Sequence, residues 1–117
     1  MAIQIFGTKK CPATKKAERF FKERGIRYQF IDLTAKGLSR GEFDSVKQSA
    51  GGTDAMINES AKDKQTLTLM KYLIESDREE KLFENQQLLR TPIVRSGKRA
   101  AIGEQPELWK EFAAESK

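Results

Sequence analysis

The order of apolar and polar positions in residues 1–32 predicts a strand, a helix and a second strand. The strands are short apolar runs at residues 3–6 and 28–31. The helix begins at Pro12, a residue favoured in the first helical turn, and ends at Gly25. Its apolar face consists of residues at helical spacing: Ala13, Ala17, Phe20 and Phe21. A helix between two strands predicts a right-handed βαβ unit with a parallel strand pair.

Residues 33–90 differ from this unit and are predicted to form three or four short helices. The first begins at Ser39, because Ser39 and Glu42 have the spacing of a capping box. It carries Phe43 on its apolar face, and Gly51-Gly52 ends it.

Further helical pieces are predicted in the second half of this insertion. Thr53 and Asp54 are expected to cap a short turn. An amphipathic helix is expected to follow Thr66 and to run to Ile74. Residues 82–89 are expected to form the last helical piece.

Strand signals return after the helical insertion. A strand is predicted at residues 91–95 and its antiparallel partner at residues 99–102, joined by a hairpin turn at Ser96-Gly97. A final helix begins at Pro106. Its apolar face contains three large side chains: Leu108, Trp109 and Phe112.

The complete order of elements is therefore βαβ, a helical insertion and ββα. This order predicts an α/β protein with a thioredoxin-like fold and a mixed four-stranded sheet. We expect a single domain over residues 1–117, with a βαβ half (1–32), a helical insertion (33–90) and a ββα half (91–117).

The composition narrows the classes of function. Of 117 residues, 38% are hydrophobic and 33% are charged, and no apolar run approaches the ~20 residues of a membrane span. The N-terminus lacks the layout of a signal peptide, so we expect a cytoplasmic protein without a membrane partner. The net charge is +5, but acidic and basic residues alternate over most of the chain, so direct nucleic-acid binding is not expected.

The counts of histidine and cysteine limit the chemistry more than any other feature. The chain has no histidine, which removes the most common general base and metal ligand. Its one cysteine, Cys11, excludes an internal disulfide and a zinc site built from several cysteines. We therefore expect no metal and no bound cofactor, and any thiol chemistry must run through Cys11.

Cys11 lies between the first strand and the first helix, where a thiolate is stabilised. A helix N-terminus carries partial positive charge and free N–H groups, which lower a cysteine pKa below ~8.5. Lys9, Lys10 and Lys15 add positive charge, and Lys15 follows Cys11 by about one helical turn. The alternative is a buried and inert cysteine, since free cysteines are usually buried. We predict the reactive thiolate.

Two further features accompany this cysteine. Thr14 occupies the second cysteine position of a Cys-x-x-Cys arrangement. Its hydroxyl can hydrogen-bond a thiolate but cannot resolve a mixed disulfide, so glutathione or a protein thiol is the expected co-substrate. Thr91-Pro92 lies at the start of the third strand, where a thioredoxin-like order favours a cis peptide bond over an ordinary trans proline.

With these residues, the chain resembles the arsenate reductase-like proteins, a family that includes the Spx-type transcription regulators. The matching segments cover nearly the whole chain: residues 3–7 with Cys11 and Lys15-Lys16-Ala17, Gly52-Thr53-Asp54, residues 88–94, and the segment at Gly103 before the last helix. The resemblance implies the thioredoxin-like fold with its helical insertion.

Arsenate reductases of this type are known for a cysteine nucleophile that works with glutathione and glutaredoxin. The resemblance implies an activating arginine four residues after the cysteine and three further arginines that hold the oxyanion. In this chain the corresponding positions hold other residues: Lys15, Asn58, Thr91 and a residue at 102–103. Arg90 lies one residue before Thr91 and is expected to point to the other side. Because tetrahedral oxyanions favour bidentate arginines, these replacements argue against arsenate reduction.

Spx-type regulators bind RNA polymerase and sense oxidation through Cys-x-x-Cys, which Thr14 interrupts here. The pairs Cys11-Pro12 and Thr91-Pro92 are more similar to glutaredoxins. We predict a monothiol, glutaredoxin-like thiol–disulfide oxidoreductase with Cys11 as nucleophile. Its remaining site residues are expected to stabilise the thiolate or to bind the thiol substrate: Lys9, Lys10, Thr14, Lys15, Arg90, Thr91 and Pro92. The alternatives are a polymerase-binding regulator without turnover, a true arsenate reductase, and a scaffold that has lost both roles.

Overall fold

A computed structural model describes residues 3–115; residues 1, 2, 116 and 117 of the predicted domain lie outside the described residues. The strands are β1 Ile3–Gly7, β2 Tyr28–Asp32, β3 Ile93–Ser96 and β4 Arg99–Ile102. The helices are α1 Pro12–Glu23, α2 Arg40–Ala50, α3 Lys64–Met70, α4 Glu75–Glu84 and α5 Pro106–Glu115. None of the helices in this described part is both long and apolar enough to cross a bilayer.

The four strands form one mixed sheet in the order β2-β1-β3-β4. β1 and β2 are parallel, with Ile5 opposite Phe30, because α1 connects them as a crossover. β3 is antiparallel to both β1 and β4, and the short hairpin turn at Gly97 joins β3 to β4. This sheet confirms the predicted α/β class with a mixed four-stranded sheet.

Side chains of β1 alternate between two cores, one on each face of the sheet. Ile3 and Ile5 pack against α1 and α5, in a cluster with large aromatic members: Phe21, Trp109 and Phe112. Phe6 belongs to the other core, which the helical insertion, including α2, completes with buried side chains such as Phe43, Val46, Leu82 and Leu88. The end of β1 is therefore fixed from both faces, and the chain that leaves it starts from a rigid position.

α2 begins and ends where the sequence predicts. The Ser39 hydroxyl accepts the N–H of Glu42 at 3.2 Å, and the Glu42 carboxylate accepts the N–H of Ser39 at 2.9 Å, which completes the capping box. Gly51 ends the helix with a φ of +87°, a left-handed conformation that glycine adopts without steric cost.

One predicted cap and one predicted helix start in the insertion are wrong. The short 3₁₀ turn Asp54–Met56 has no side-chain cap, and the Thr53 hydroxyl is buried without a hydrogen-bond partner among residues 3–115. α3 begins before Thr66, because the Asp63 carboxylate accepts hydrogen bonds from the N–H and the hydroxyl of Thr66 at 3.1 and 2.7 Å. Asp63 is therefore the N-cap of α3.

α3 also ends earlier than predicted, at Met70 instead of Ile74. The Arg78 guanidinium donates hydrogen bonds to the carbonyl oxygens of Met70 and Leu73 at 3.2 and 2.9 Å. These bonds satisfy carbonyl groups that a longer helix would have bonded internally, so the chain can turn there. Ile74 is then the N-cap residue of α4.

Two other boundaries differ from the sequence prediction. The helical piece expected at residues 82–89 is divided between α4 and a 3₁₀ turn, Gln86–Leu88, because Asn85 leaves the helical conformation. β3 begins at Ile93, so Thr91 precedes the strand ladder. The Thr91–Pro92 peptide bond is cis, as predicted.

Candidate active site

Cys11 is held where the loop from β1 joins α1. Its N–H donates to the carbonyl oxygen of Thr8 at 3.2 Å, and its own carbonyl accepts the N–H of Lys15 at 3.1 Å. It is the N-cap residue of α1, with an extended backbone, and its side chain is half-buried. The sulfur therefore lies at the N-terminal end of a 12-residue helix, where negative charge is favoured.

Thr91 lies beside this sulfur although it is 80 residues away along the chain. Its hydroxyl donates to Cys11 Sγ at 3.1 Å, and its carbonyl oxygen lies 4.0 Å from Sγ. The following residue, Pro92, is buried. The sequence assigned Thr91 to the site as a neighbour of the proline, and the structure adds a direct hydroxyl contact with the sulfur.

Thr14 is buried in the first turn of α1 and packs against Gly7. A Cβ atom at Gly7 would lie 2.4 Å from Thr14 Oγ1, so this close packing of helix and strand requires glycine. The Thr14 hydroxyl has no hydrogen-bond partner of normal geometry within residues 3–115. The Thr14 hydroxyl still lowers the pKa of Cys11, because it can donate a hydrogen bond to the thiolate once the thiol proton has left.

The surroundings lower the pKa of the Cys11 thiol below its ordinary value. Partial burial is the largest single influence and raises this pKa, because it disfavours the charged form. The hydroxyls of Thr14 and Thr91 and the backbone N–H groups of Thr14 and Ala13 together outweigh burial. The thiolate is therefore stabilised by hydrogen bonds, and lysine charges are not among the causes.

Three lysines predicted to act here have exposed side chains: Lys9, Lys10 and Lys15. The charge of Lys9 acts elsewhere, because it helps the hydrogen bonds from Thr34 to lower the pKa of Asp32. A role of these lysines in attracting an anionic thiol stays a prediction.

Arg90 and Thr91 contact different parts of the molecule. The Arg90 guanidinium packs against Gly103, where an added Cβ atom would lie 3.0 Å from Nη2. Gly103 has a φ of +81° and donates its N–H to the carbonyl oxygen of Pro92 at 2.8 Å. Arg90 therefore lies at the end of β4, and Thr91 alone of the pair contacts the sulfur.

None of the four positions that the resemblance assigns to arginines carries a guanidinium group. Lys15 is exposed, and the Asn58 side chain accepts the N–H of Ser60 at 3.0 Å. Thr91 contacts Sγ, and Ile102 belongs to the core. The arrangement can stabilise a thiolate, but it lacks the bidentate groups that hold a tetrahedral oxyanion.

A groove of about 880 Å³ is lined by residues that contact Cys11, although Cys11 itself does not line it. One end is formed by Thr8 and Thr91, which both hydrogen-bond Cys11. Its apolar lining comes from the insertion and from the end of β2: Leu33, Ala61, Phe83, Leu88 and Leu89. The helical insertion therefore builds most of the surface that faces a group bound at the sulfur.

Gly7 and Thr8 were not predicted as site residues. A glycine at a strand end is a signal of close backbone approach, so the role of Gly7 was detectable. Thr8 acts through its backbone carbonyl oxygen, a group that every residue type has, so the sequence could not indicate this role. Within residues 3–115, no three histidine, cysteine, aspartate or glutamate side chains are grouped to hold a metal ion.

We expect the alkylation rate of Cys11 to rise with pH and to level off with an inflection below about 8.5, the ordinary pKa of a cysteine thiol. The cause is that hydrogen bonds in the folded protein stabilise the reactive thiolate. Iodoacetamide labelling followed by mass spectrometry measures the rate at the single cysteine. The same chain unfolded in urea is the control, and equal inflections in both states would contradict the prediction.

Comparisons with known proteins agree with this structure. A model of the ArsC family matches residues 6–112. The global transcriptional regulator Spx 2 of Oceanobacillus iheyensis is 29% identical over 111 residues, which cover 88% of this chain and 77% of that protein.

Solved structures have the same fold. The arsenate reductase from Vibrio cholerae superposes with a TM-score of 0.81 at 23% identity, over 96% of this chain and 98% of the other. An ArsC family related protein from Bacteroides fragilis has a TM-score of 0.83 at 20% identity, with the same coverage. At these identities the similarity establishes the thioredoxin-like fold and not the activity.

Proposed function

The chain belongs to the ArsC family, and we propose that it is a monothiol, glutaredoxin-like thiol–disulfide oxidoreductase with Cys11 as its nucleophile. The family supports a thiol-based redox or regulatory role, and the contact of Thr91 Oγ1 with Cys11 Sγ at 3.1 Å favours the redox role. This hydroxyl and the N-terminus of α1 stabilise the sulfur as an anion, which is the form that attacks a disulfide.

The proposed reaction is an exchange in two steps. The Cys11 thiolate attacks one sulfur of an external disulfide; a bond to Sγ forms, the original S–S bond breaks, and the other sulfur leaves as a thiolate. Because the chain has no second cysteine, an external thiolate must then attack the substrate sulfur of the mixed disulfide. That attack releases Cys11 as a thiolate and the substrate as a new disulfide, with no net electron transfer to the protein.

Glutathione, another small thiol or a protein thiol such as that of a glutaredoxin supplies the second thiolate. No cofactor is required, because the exchange transfers electrons only between sulfur atoms. We place the protein in the cytoplasm, where such thiols are kept reduced. Thr91 and Pro92, with Arg90 at the end of β4, form the side of the site against which the thiol substrate lies.

The mixed disulfide itself tests the proposal. We expect incubation with oxidised glutathione to add one glutathionyl group to the protein, and reduced glutathione to remove it. Mass spectrometry of the intact protein detects the adduct, and Cys11→Ser is the matched control that must stay unmodified. Absence of an adduct on the unchanged protein would remove the oxidoreductase role. The same experiment with arsenate and glutathione tests arsenate reduction, which the missing arginines disfavour.

A second candidate is an interaction protein without turnover, as in a regulator that binds RNA polymerase. Three large apolar side chains are exposed at the end of α3 and in the segment that leads to α4: Leu69, Tyr72 and Ile74, with exposed fractions of 48%, 84% and 68%. Exposed apolar groups of this kind favour contact with another protein. Capture of RNA polymerase subunits that persists in Cys11→Ala and is lost in Tyr72→Ser would support this role.

A further inference from the structure

We propose that the groove beside Cys11 binds a polypeptide segment that carries the reacting cysteine, in preference to glutathione. This inference rests on the thiol exchange proposed above and names the substrate class of the same site. Three properties of the groove carry it: its position relative to the sulfur, its size and the charges of its lining.

The position of the groove makes it the path for any group attached to the sulfur. Thr8 accepts the N–H of Cys11 at 3.2 Å, and Thr91 donates its hydroxyl to Sγ at 3.1 Å. Both residues line the same end of the groove. A molecule joined to Cys11 by a disulfide therefore begins at this end and has the remaining length of the groove available to it.

The size of the groove exceeds what glutathione needs. Its volume is about 880 Å³, near the upper end of the roughly 300–1,000 Å³ of small-molecule sites. A tripeptide attached at one end would fill only part of this space and leave the far part of the groove, at Phe83 and Glu84, unoccupied. A longer segment in an extended conformation would cover the lining as far as Phe83 and Glu84 in α4.

The charges of the lining oppose an anionic ligand. One lysine, Lys62, lines the groove together with two carboxylates, Asp63 and Glu84. Glutathione carries more carboxylate than ammonium groups, so it would meet a lining of the same net sign. An internal polypeptide segment has no terminal carboxylates and avoids this repulsion.

The neutral part of the lining fits a peptide backbone. Four residues present uncharged amide or hydroxyl groups: Thr34, Asn58, Ser60 and Gln87. Such groups both donate and accept hydrogen bonds, which suits the N–H and carbonyl groups of an extended peptide. The half-buried side chains of Leu33 and Phe83 line the same groove and can pack against apolar side chains of a bound segment.

The experiment compares two probes with the same leaving group. One is an uncharged, end-capped peptide with a central cysteine, and the other is glutathione; each is supplied as its mixed disulfide with 2-thiopyridine. Attack by Cys11 forms a bond to the probe sulfur and breaks the bond to the pyridyl sulfur, which leaves as a coloured thione. Each rate is divided by the rate of the same probe with N-acetylcysteine, which removes intrinsic differences in reactivity.

We expect the peptide probe to react about tenfold faster than the glutathione probe. Ser60→Trp places a large side chain in the groove and should reduce this ratio to near one, because Ser60 is an exposed loop residue of the lining. The matched control is Ser76→Trp, at an exposed position of α4 outside the lining, which should keep the ratio. Thermal unfolding checks that both variants are folded.

The outcomes separate this inference from the proposed function. Equal reaction with both probes, or a ratio that survives Ser60→Trp, overturns the preference for a polypeptide and leaves exchange at Cys11 intact. Faster reaction of the glutathione probe also overturns the preference. Reaction with neither probe overturns both proposals.

Discussion

Gly7→Ala is expected to destabilise the protein by roughly 3 kcal/mol, the upper part of the range for forced overpacking. The new Cβ atom would lie 2.4 Å from Oγ1 and 2.6 Å from Cγ2 of Thr14, which is buried in the first turn of α1. Neither β1 nor α1 can move freely, because both are packed in the core with Phe21 and Trp109. Urea unfolding followed by circular dichroism measures the loss of stability.

The same substitution is expected to slow alkylation of Cys11. If α1 shifts to relieve the contact with Thr14, Cys11 moves with it away from the Thr91 hydroxyl, and the pKa of the thiol rises. Gly41→Ala is the matched control, since an added Cβ atom there meets nothing within 4 Å and lies in a helix, where alanine is favoured. A double variant, Gly7→Ala with Thr14→Ala, should show less destabilisation than the sum of the two single changes. Additive effects, or a Gly7→Ala protein as stable as Gly41→Ala, would contradict the packing argument.

The elements of the two halves, and the first helix of the insertion, could be predicted because each carries its own local signals. Pro12 marks the start of α1, the capping box of Ser39 and Glu42 marks α2, and Gly97 marks the hairpin. The insertion was harder to divide, because its boundaries depend on side chains that act from outside each helix. Arg78 of α4 ends α3, and the spacing of apolar residues within α3 gives no sign of that contact.

The residues of the site could be predicted from the sequence, but the interactions that lower the pKa of Cys11 could be predicted only in part. Helix position alone placed Cys11 at an N-terminus, and the proline placed Thr91 near it. The hydroxyl contact between Thr91 and Cys11 depends on a side-chain orientation set by tertiary packing, which spacing does not give. Lysine charge looked important because lysines are close in sequence, yet hydroxyls and backbone N–H groups lower the pKa. Proximity along the chain is a weak guide to electrostatics when long side chains extend into solvent.

Thr91→Val is expected to slow alkylation of Cys11 at neutral pH by roughly fivefold. Valine has the shape of threonine but no hydroxyl, so the thiolate loses the donor at 3.1 Å and the pKa of Cys11 rises toward its ordinary value. A hydrogen bond to a charged group is worth about 1.5–3 kcal/mol, and we discount this value because Cys11 is only partly buried. The rate is measured with iodoacetamide over the full pH range.

The pH profile and a conservative variant separate this effect from a change in access to the sulfur. Once the pH exceeds the inflections of both proteins, Cys11 is fully ionised in each of them. Thr91→Val should then react at least as fast as the unchanged protein, because a thiolate of higher pKa is the stronger nucleophile. Thr91→Ser keeps a hydroxyl and should keep the low inflection. Slower reaction of Thr91→Val at every pH would mean that the valine blocks the sulfur. Equal inflections in the serine and valine variants would mean that the Thr91 hydroxyl does not stabilise the thiolate, and the low pKa would then rest on the N-terminus of α1 and on Thr14.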